Sequence, residues 1–241
     1  MANKLNFYLN NTLDDICHSA KDLFLNYYNN NNFNFIVPGG STPKLFFDYL
    51  SNVEIDWRRV TLILSDERLV SVNSDASNYG MLKRHLLEKL PIDNRPTIIP
   101  NMENYNDNEK DLFLEKINSL MKKTQPVKLA FLGLGCDGHT ASLFPGNMMD
   151  SKINYPYFII TKPREPFERI TLSMSFLSNI PNITFMVFGE RKKNALMLLS
   201  KYKGNDVQIP SADLLRKSNA TVGIYCTKNS LSRDIQKSFI S

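Results

Sequence analysis

The segment LGLGCDGHTASLFPG, residues 132–146, joins an aspartate and a histidine to four glycines. Asp137 and His139 stand on either side of Gly138, a spacing that can bring the carboxylate beside a ring nitrogen and set the tautomer of the imidazole. Histidine is the side chain best suited to general-base work near neutral pH. The segment therefore makes His139 a candidate general base that Asp137 orients.

Other residues compete for this catalytic role. Cys136 is a candidate nucleophile, but a nucleophile needs a base aimed at it, and adjacent side chains rarely point the same way. The remaining histidines, His18 and His85, fall in predicted helices, where surface or packing roles are commoner. His139 is therefore the favoured candidate.

Three further segments with unusual chemistry follow predicted strands: PGGSTP at 38–43, SDER at 65–68 and GERK at 189–192. In open α/β sheets, ligands bind at the carboxyl ends of the strands. Together with residues 133–139, these segments would place four groups of reactive or charged residues on one edge of a sheet. That coincidence favours a ligand site there.

The PGGSTP segment is typical of an anion site. Gly39 and Gly40 let the backbone turn sharply and approach a ligand closely. Ser41 and Thr42 add hydroxyls, and a Thr-Pro helix start directs free N–H groups to the same spot. A phosphate or a carboxylate suits this arrangement, and a plain strand-to-helix turn is the alternative. The P-loop pattern GxxxxGK[ST] is absent.

The SDER segment ends an apolar strand with three charged residues. Asp66 or Glu67 is a candidate acid/base group, and Arg68 is a candidate anion ligand. The alternative is a strand end that reaches water, with a local Glu–Arg pair.

Three more cations are candidates for binding an anion. Arg169 begins a predicted strand, where an arginine often grips an anion bidentately. Lys192 and Lys193 open a predicted helix, where the helix dipole disfavours cations. An anionic ligand beside them would remove that conflict, so either lysine is a phosphate candidate. The alternatives are a solvated charge at a strand edge and an exposed basic helix end.

Apolar runs of strand length alternate with segments of helical spacing. The predicted helices are 13–28, 42–51, 77–90, 109–123, 191–202 and 231–240, and the predicted strands are 33–40, 59–68, 96–100, 127–135, 157–161, 168–177, 182–189 and 220–226. This alternation predicts an α/β fold, with a single doubly wound, mostly parallel sheet and helices on both faces. The strands at 157–161 and 168–177 are adjacent and could instead pair as an antiparallel hairpin at one side.

Size and composition are those of an ordinary globular protein. The chain has 241 residues, 42% hydrophobic and 22% charged, with no internal repeat and no long linker, so residues 1–241 are expected to form a single domain. Three scattered cysteines argue against a disulfide framework and against a zinc site. The N-terminal segment lacks a basic start followed by an apolar core, which predicts no signal peptide and a cytoplasmic location.

The net charge and the hydropathy bear on possible partners. The net charge of +5 is dispersed, so a phosphate-bearing small molecule accounts for it as well as a nucleic acid does. A nucleic-acid partner is not expected, since no basic face or aromatic platform supports it. No run of about 20 apolar residues is present, so no membrane association is expected.

The motifs PGGSTP, SDERLV, LGLGCDGHTASLFPG, FERITLSMSFL and FGERKKNAL, in this order, resemble those of the 6-phosphogluconolactonases. That family shares a superfamily with the glucosamine-6-phosphate deaminase/isomerases, and the resemblance runs from about Phe35 to Ile209. It implies a Rossmann-like fold of the sugar-phosphate isomerase type. It also implies a sugar-phosphate substrate. Because a lactone is an activated ester, no metal or cofactor is expected, and the protein is expected to be a monomer or small homo-oligomer.

The activity implied by the resemblance is hydrolysis of 6-phospho-D-glucono-1,5-lactone to 6-phosphogluconate. His139 would remove a proton from the attacking water and return it to the leaving ring oxygen, and Asp137 would orient His139. The resemblance also implies how the substrate is bound. The phosphate would lie on the helix start with Ser41, Thr42, Arg169 and Lys192, and Arg68 would contact the phosphate or the sugar hydroxyls. Asp66 would make at most a polar contact, and backbone N–H groups near Gly39, Gly40 or Gly135 would donate to the carbonyl oxygen.

The deaminases are the main alternative within the superfamily. They also carry DGH, but their motif continues with an Asn-Glu-Pro run whose Glu is catalytic, whereas Phe144 precedes the proline here. Deaminases also usually have Tyr where this chain has Arg68. Both differences favour the lactonase. A non-catalytic sugar-phosphate sensor is the second alternative. The run TKPREPFERI departs from the usual lactonase pattern and leaves the role of Lys162 open.

Overall fold

A computed structural model describes residues 5–40, 42–124, 126–146, 154–162, 165–200, 208–231 and 235. Its main feature is a seven-stranded sheet in which every neighbouring pair is parallel, in the order β1-β10-β9-β6-β2-β3-β5. The strands are β1 (Leu5–Asn10), β2 (Phe33–Val37), β3 (Val60–Leu64), β5 (Thr97–Ile99), β6 (Leu129–Gly133), β9 (Asn182–Val187) and β10 (Thr221–Thr227). The predicted mostly parallel α/β sheet is confirmed.

Helices connect these strands. They are α1 (Leu13–Tyr28), α2 (Pro43–Leu50), α3 (Asn78–His85), α4 (Lys110–Lys123), α5 (Met174–Leu177), α6 (Lys193–Ser200) and α7 (Pro210–Lys217). Right-handed crossovers place α1, α2 and α3 on one face of the sheet and α4, α6 and α7 on the other. The packing agrees, since α2 contacts both α1 and α3, and α6 contacts α7. Among the described residues, no helix is long and apolar enough to span a membrane.

The direction in which successive strands are added to the sheet reverses between β2 and β6. From β2 the chain moves outward through β3 to β5, and from β6 it moves the other way through β9 to β10. These two strands are neighbours, so the loops that follow them diverge and leave a crevice at the carboxyl edge. Phe35 of β2 packs edge-on against Phe131 of β6 with ring centres 4.8 Å apart, and this contact joins the two strands within the core.

A second, three-stranded antiparallel sheet stands beside the crevice, in the order β4-β8-β7. Its strands are β4 (Asp66–Arg68), β7 (Tyr157–Thr161) and β8 (Glu168–Leu172). The hairpin pairing considered for β7 and β8 is therefore the observed one. The strand predicted at 59–68 is instead two strands, because Ser65 bonds to both sheets: its N–H donates to Val37 O and its carbonyl accepts from Leu172 N, each at 2.9 Å.

Other elements differ from the sequence prediction. Strand β1 and helix α7 were not predicted, and α3 ends at His85, followed by a short 3₁₀ turn at 87–89. The helix predicted at 231–240 lies mostly outside the described residues. Helix α7 matters for the site, because the segment leading into it packs against the loop that follows β6.

Candidate active site

The crevice opens into a cavity of about 520 Å³ at the carboxyl ends of β2, β3, β6 and β9. Most of the residues predicted for the site line it: Gly39, Gly40, Thr42, Asp66, Arg68, His139, Arg169 and Lys192. Asp137 reaches the cavity through its contact with His139. Ser41, which was also predicted, lies outside the described residues. The structure therefore gathers residues that are up to 153 positions apart in the chain (Gly39 to Lys192) around one space.

The loop after β6 is a tight turn built around His139. Gly135 N–H donates to the His139 carbonyl at 2.8 Å, and Gly138 N–H donates to the Gly135 carbonyl at 2.9 Å. Gly138 has a φ of +83°, a conformation that favours glycine, and a side chain there would collide with Ile209. Ser211 N–H, in the first turn of α7, donates to the Gly138 carbonyl at 3.1 Å. The unpredicted helix therefore supports the turn from behind.

His139 and Asp137 form a close pair. Nδ1 of His139 lies 2.5 Å from Oδ1 of Asp137, and the same oxygen accepts from the His139 backbone N–H at 3.1 Å. Burial raises the pKa of Asp137, but the hydrogen bonds and charge of His139 outweigh it and hold that pKa below its usual value. An ionised Asp137 keeps the proton of neutral His139 on Nδ1, which leaves Nε2 as the ring's acceptor. The predicted orientation of His139 by Asp137 matches this geometry.

The Phe144 ring forms the wall behind His139. Its centre lies 5.1 Å from the centre of the His139 ring. Two cations lie over the same ring, the Lys162 Nζ at 4.7 Å and the Arg169 guanidinium at 5.6 Å. Glu165 joins these cations by pairing with Arg169 and accepting from Lys162 at 2.6 Å, and these partners lower the pKa of Glu165. Lys162, whose role was open, is thus held at this wall.

The turn after β2 has the features predicted for it. Gly40 has a φ of +96°, and Thr42 and Pro43 stand at the N-cap and first position of α2. The Thr42 side chain makes no capping hydrogen bond, so its hydroxyl is not used by the helix end. The N-terminus of α2 faces the cavity with Thr42 and Pro43 on its lining.

The three charged residues of β4 have separate positions. Asp66 is buried and accepts from Ser65 Oγ at 3.0 Å and from Ser142 Oγ at 2.6 Å. Arg68 lines the cavity and donates through Nη1 to the Ala76 carbonyl at 2.6 Å. Glu67 is fully buried and does not line the cavity, so the structure does not favour it as an acid/base group there.

Lys192, which ends a short 3₁₀ turn, and Lys193, the first residue of α6, also differ in position. Lys192 lines the cavity, and its Nζ donates to the Leu134 carbonyl. Lys193 does not line it and pairs with Glu190 at 2.6 Å. Of the two phosphate candidates, only Lys192 has the required position.

Sequence reasoning missed two polar residues that line the cavity, Asn78 and Arg191. Asn78 is the first residue of α3, after the N-cap Ser77, whose hydroxyl accepts from Gly80 N–H at 2.9 Å. The N-cap signal locates the helix, but it does not show that the helix start faces a ligand site. Arg191 stands within the GERK segment, where the lysines had drawn attention.

The cysteines and acidic residues provide no metal site among the described residues, because no group of three or more potential ligands is found there. Cys17 and Cys226 are buried. Cys136 is exposed at the cavity, and its Sγ lies 3.5 Å from the carbonyl oxygen of Arg191.

A doubly wound sheet with a ligand-sized cavity at its switch point defines the class of the Rossmann-like α/β proteins. The chain belongs, within that class, to the family described as glucosamine-6-phosphate isomerases/6-phosphogluconolactonase, which matches residues 10–222.

Individual relatives agree with the family assignment. The chain is 31% identical over 194 residues to the 6-phosphogluconolactonase of Rhizobium meliloti, covering 78% of this chain and 82% of that protein. The crystal structure of 6-phosphogluconolactonase from Leishmania guyanensis has a TM-score of 0.78 at 20% identity, covering 95% of this chain and 98% of that one. A monomeric glucosamine-6-phosphate deaminase has a TM-score of 0.75 at 17% identity, with 93% and 98% covered. At these identities the two structures show the shared fold only.

Proposed function

We propose that this protein is a 6-phosphogluconolactonase, which hydrolyses 6-phospho-D-glucono-1,5-lactone to 6-phosphogluconate. The observation that carries the proposal is the His139–Asp137 pair on the wall of a cavity that is also lined by Arg68, Arg169 and Lys192. A base beside several cations suits the hydrolysis of an anionic ester. The Rhizobium meliloti relative, named for this activity, supports the same reading.

The reaction follows from the state of the histidine. Neutral His139 takes a proton on Nε2 from a water molecule as the water oxygen bonds to C1 of the lactone. The imidazolium, stabilised by Asp137 on Nδ1, then gives a proton to the ring oxygen as the C1–O bond breaks. The new carboxylic acid ionises to the carboxylate. A lactone is an activated ester, so this route uses neither a covalent nucleophile nor a redox step.

The substrate phosphate is assigned to the N-terminus of α2 and Lys192. Free N–H groups at a helix start and the Thr42 hydroxyl, which makes no capping hydrogen bond, are suited to phosphate oxygens. Lys192 adds a cation that otherwise bonds only to a neutral carbonyl among the described residues. Arg68 and Arg169 also line the cavity, but Arg169 is paired with Glu165.

The deaminase alternative is less well supported at Phe144. A buried aromatic ring lies 5.1 Å from the His139 ring, at the position where the deaminase motif carries a catalytic glutamate. The fold likeness to a deaminase does not discriminate between the two activities.

His139→Asn tests the proposal directly. We expect lactone hydrolysis above the spontaneous rate by the wild type, and a loss of about 100-fold or more in kcat with a similar KM in the variant. His85→Asn is the matched control, because His85 pairs with Asp48 on the surface away from the cavity. Near-normal kcat in His139→Asn would refute the catalytic role. Ammonia release from glucosamine 6-phosphate would point to the deaminase instead.

A further inference from the structure

Glu67 is a carboxylic acid with no exposed surface, placed between two residues that line the cavity. Buried carboxylates are rare unless they are paired with a cation or fully hydrogen-bonded. Within the part of the chain that the structure describes, Glu67 forms no ion pair with a lysine, arginine or histidine. Packing alone therefore does not explain why a glutamate occupies this buried position.

Four donors surround the Glu67 carboxylate. Oε1 accepts from the backbone N–H of Arg68 at 2.6 Å and of Asn78 at 2.8 Å. Oε2 accepts from the backbone N–H of Tyr79 at 2.5 Å and from Ser77 Oγ at 3.1 Å. Two donors on each oxygen occupy the lone pairs of an ionised carboxylate, so a proton on Glu67 would displace one of them.

The groups held in this way belong to three different parts of the cavity wall. Arg68 comes from β4, and its Nη1 lies 3.3 Å from Oδ1 of Asn78, the first residue of α3. The Asn78 amide donates to the Asp66 carbonyl at 2.9 Å. The same amide packs so closely on Gly39 that a Cβ there would lie 2.1 Å from its nitrogen. Glu67 thus links β4, α3 and the turn after β2.

We propose that Glu67 is a positioning residue of the lactonase site: its carboxylate seats the start of α3 and thereby fixes Arg68 and Asn78 against the Gly39 turn. This inference rests on the proposed function for its catalytic consequence. Glu67 touches no substrate, and it acts through the two side chains that line the cavity.

The electrostatic surroundings of Glu67 are consistent with a functional rather than a stabilising role. Burial, with a smaller contribution from the neighbouring Asp66, raises its pKa to about 7 against the opposing effect of the backbone N–H donors. Tyr157, from β7, also interacts with Glu67, and the pKa of Tyr157 is raised by burial and by Asp66 and Glu67. The guanidinium of Arg68 bonds elsewhere, to Ala76 and Asn78. The ionised form of Glu67 is therefore energetically unfavourable in the folded protein.

Glu67→Gln is the central variant. The amide keeps the size of the side chain but offers only one acceptor oxygen, and its NH₂ group faces two of the donors. The hydrogen bonds that hold the start of α3 are therefore weakened. We expect kcat/KM for the lactone to fall about 10-fold or more in a folded protein. Glu88→Gln is the matched control, since Glu88 is an exposed glutamate just beyond the other end of α3 and is expected to leave kcat/KM unchanged.

A double-mutant cycle distinguishes positioning from general weakening. If Glu67 acts through Asn78, Glu67→Gln combined with Asn78→Ala loses no more activity than the worse single variant. Effects that multiply, or a Glu67→Gln activity within two-fold of the wild type, would overturn the proposal. If Glu67→Gln does not fold, Ser77→Ala replaces it in the cycle, because it removes one of the four donors to the carboxylate.

Amide hydrogen exchange provides a readout that does not depend on activity. Exchange in residues 77–80 is expected to accelerate in Glu67→Gln and not in Glu88→Gln. Unchanged exchange in these residues would refute the proposed seat. If the wild type hydrolyses no lactone, the proposed function fails, and the exchange result still decides whether Glu67 holds α3 in place.

Discussion

Gly135→Ala is expected to inactivate the enzyme by moving one ring. A Cβ at Gly135 would lie 2.1 Å from Nδ1 and 2.2 Å from Cε1 of His139, whereas ordinary contacts begin at 3.4 Å. The imidazole must therefore move by about 1.3 Å, which also breaks its contact with Asp137. Misplacing a catalytic group by about 1 Å can cost about 100-fold in rate, so we expect kcat to fall by about that factor.

The assay compares Gly135→Ala with Gly133→Ala. A Cβ at Gly133, the last residue of β6, meets no atom within 4 Å, and neither glycine has a positive φ. The two variants add one methyl group at positions only two residues apart, but only Gly135→Ala brings that methyl group into collision with His139. We expect Gly133→Ala to keep kcat within a few-fold and both proteins to keep cooperative thermal unfolding. A Gly135→Ala enzyme with nearly normal kcat would refute the claim that the position of His139 limits the rate.

Two other variants test the charges. Lys192→Ala is expected to raise KM about 10-fold or more with little change in kcat, as loss of a phosphate contact predicts. Lys193→Ala is the control and should leave KM unchanged, because Lys193 pairs with Glu190 outside the cavity. Equal effects of the two variants on KM would contradict the assignment of the phosphate to Lys192. The pKa of Glu67, raised from 4.5 to about 7, means that the folded state holds the proton more tightly than the unfolded chain. The free energy of unfolding should therefore fall by about 3 kcal/mol as the pH rises from about 4.5 to about 7. Urea unfolding of the wild type and of Glu67→Gln across this pH range measures the change. If the free energy of unfolding depends on pH equally in both proteins, the raised pKa of Glu67 is contradicted.

Much of this architecture could be predicted because it is local in sequence. The alternation of apolar runs and helical spacing indicates a parallel sheet, and the carboxyl ends of its strands then bring PGGSTP, SDER and GERK to one edge. The Asp137–His139 contact could be predicted for the same reason, since only one residue separates the two in the chain. The short edge strand β1 was missed because LNFYLN carries two asparagines and a weak alternation.

The remaining features depend on contacts between distant residues. Nothing in SDER distinguishes Asp66 from Glu67. Three of the four donors to Glu67 come from Ser77 and the start of α3, ten to twelve residues further along the chain. The support of Gly138 by Ser211 joins segments more than seventy positions apart. The break at Ser65 likewise arises because Leu172 from β8 bonds to its carbonyl. Such partners are set by tertiary packing and leave no periodic signal in the sequence.

The cations of the cavity divide into two groups with different tasks. Arg169 is nearly enclosed: it pairs with Glu165, its Nη1 lies 3.9 Å from Oδ2 of Asp66, and its guanidinium lies over Phe144. Two carboxylates offset its charge, so it adds little to the positive field of the open cavity. Lys192 bonds to a neutral carbonyl and has no carboxylate partner among the described residues. We therefore expect Lys192 and the start of α2 to attract the phosphate, while Arg169 and Phe144 stiffen the wall against which His139 works.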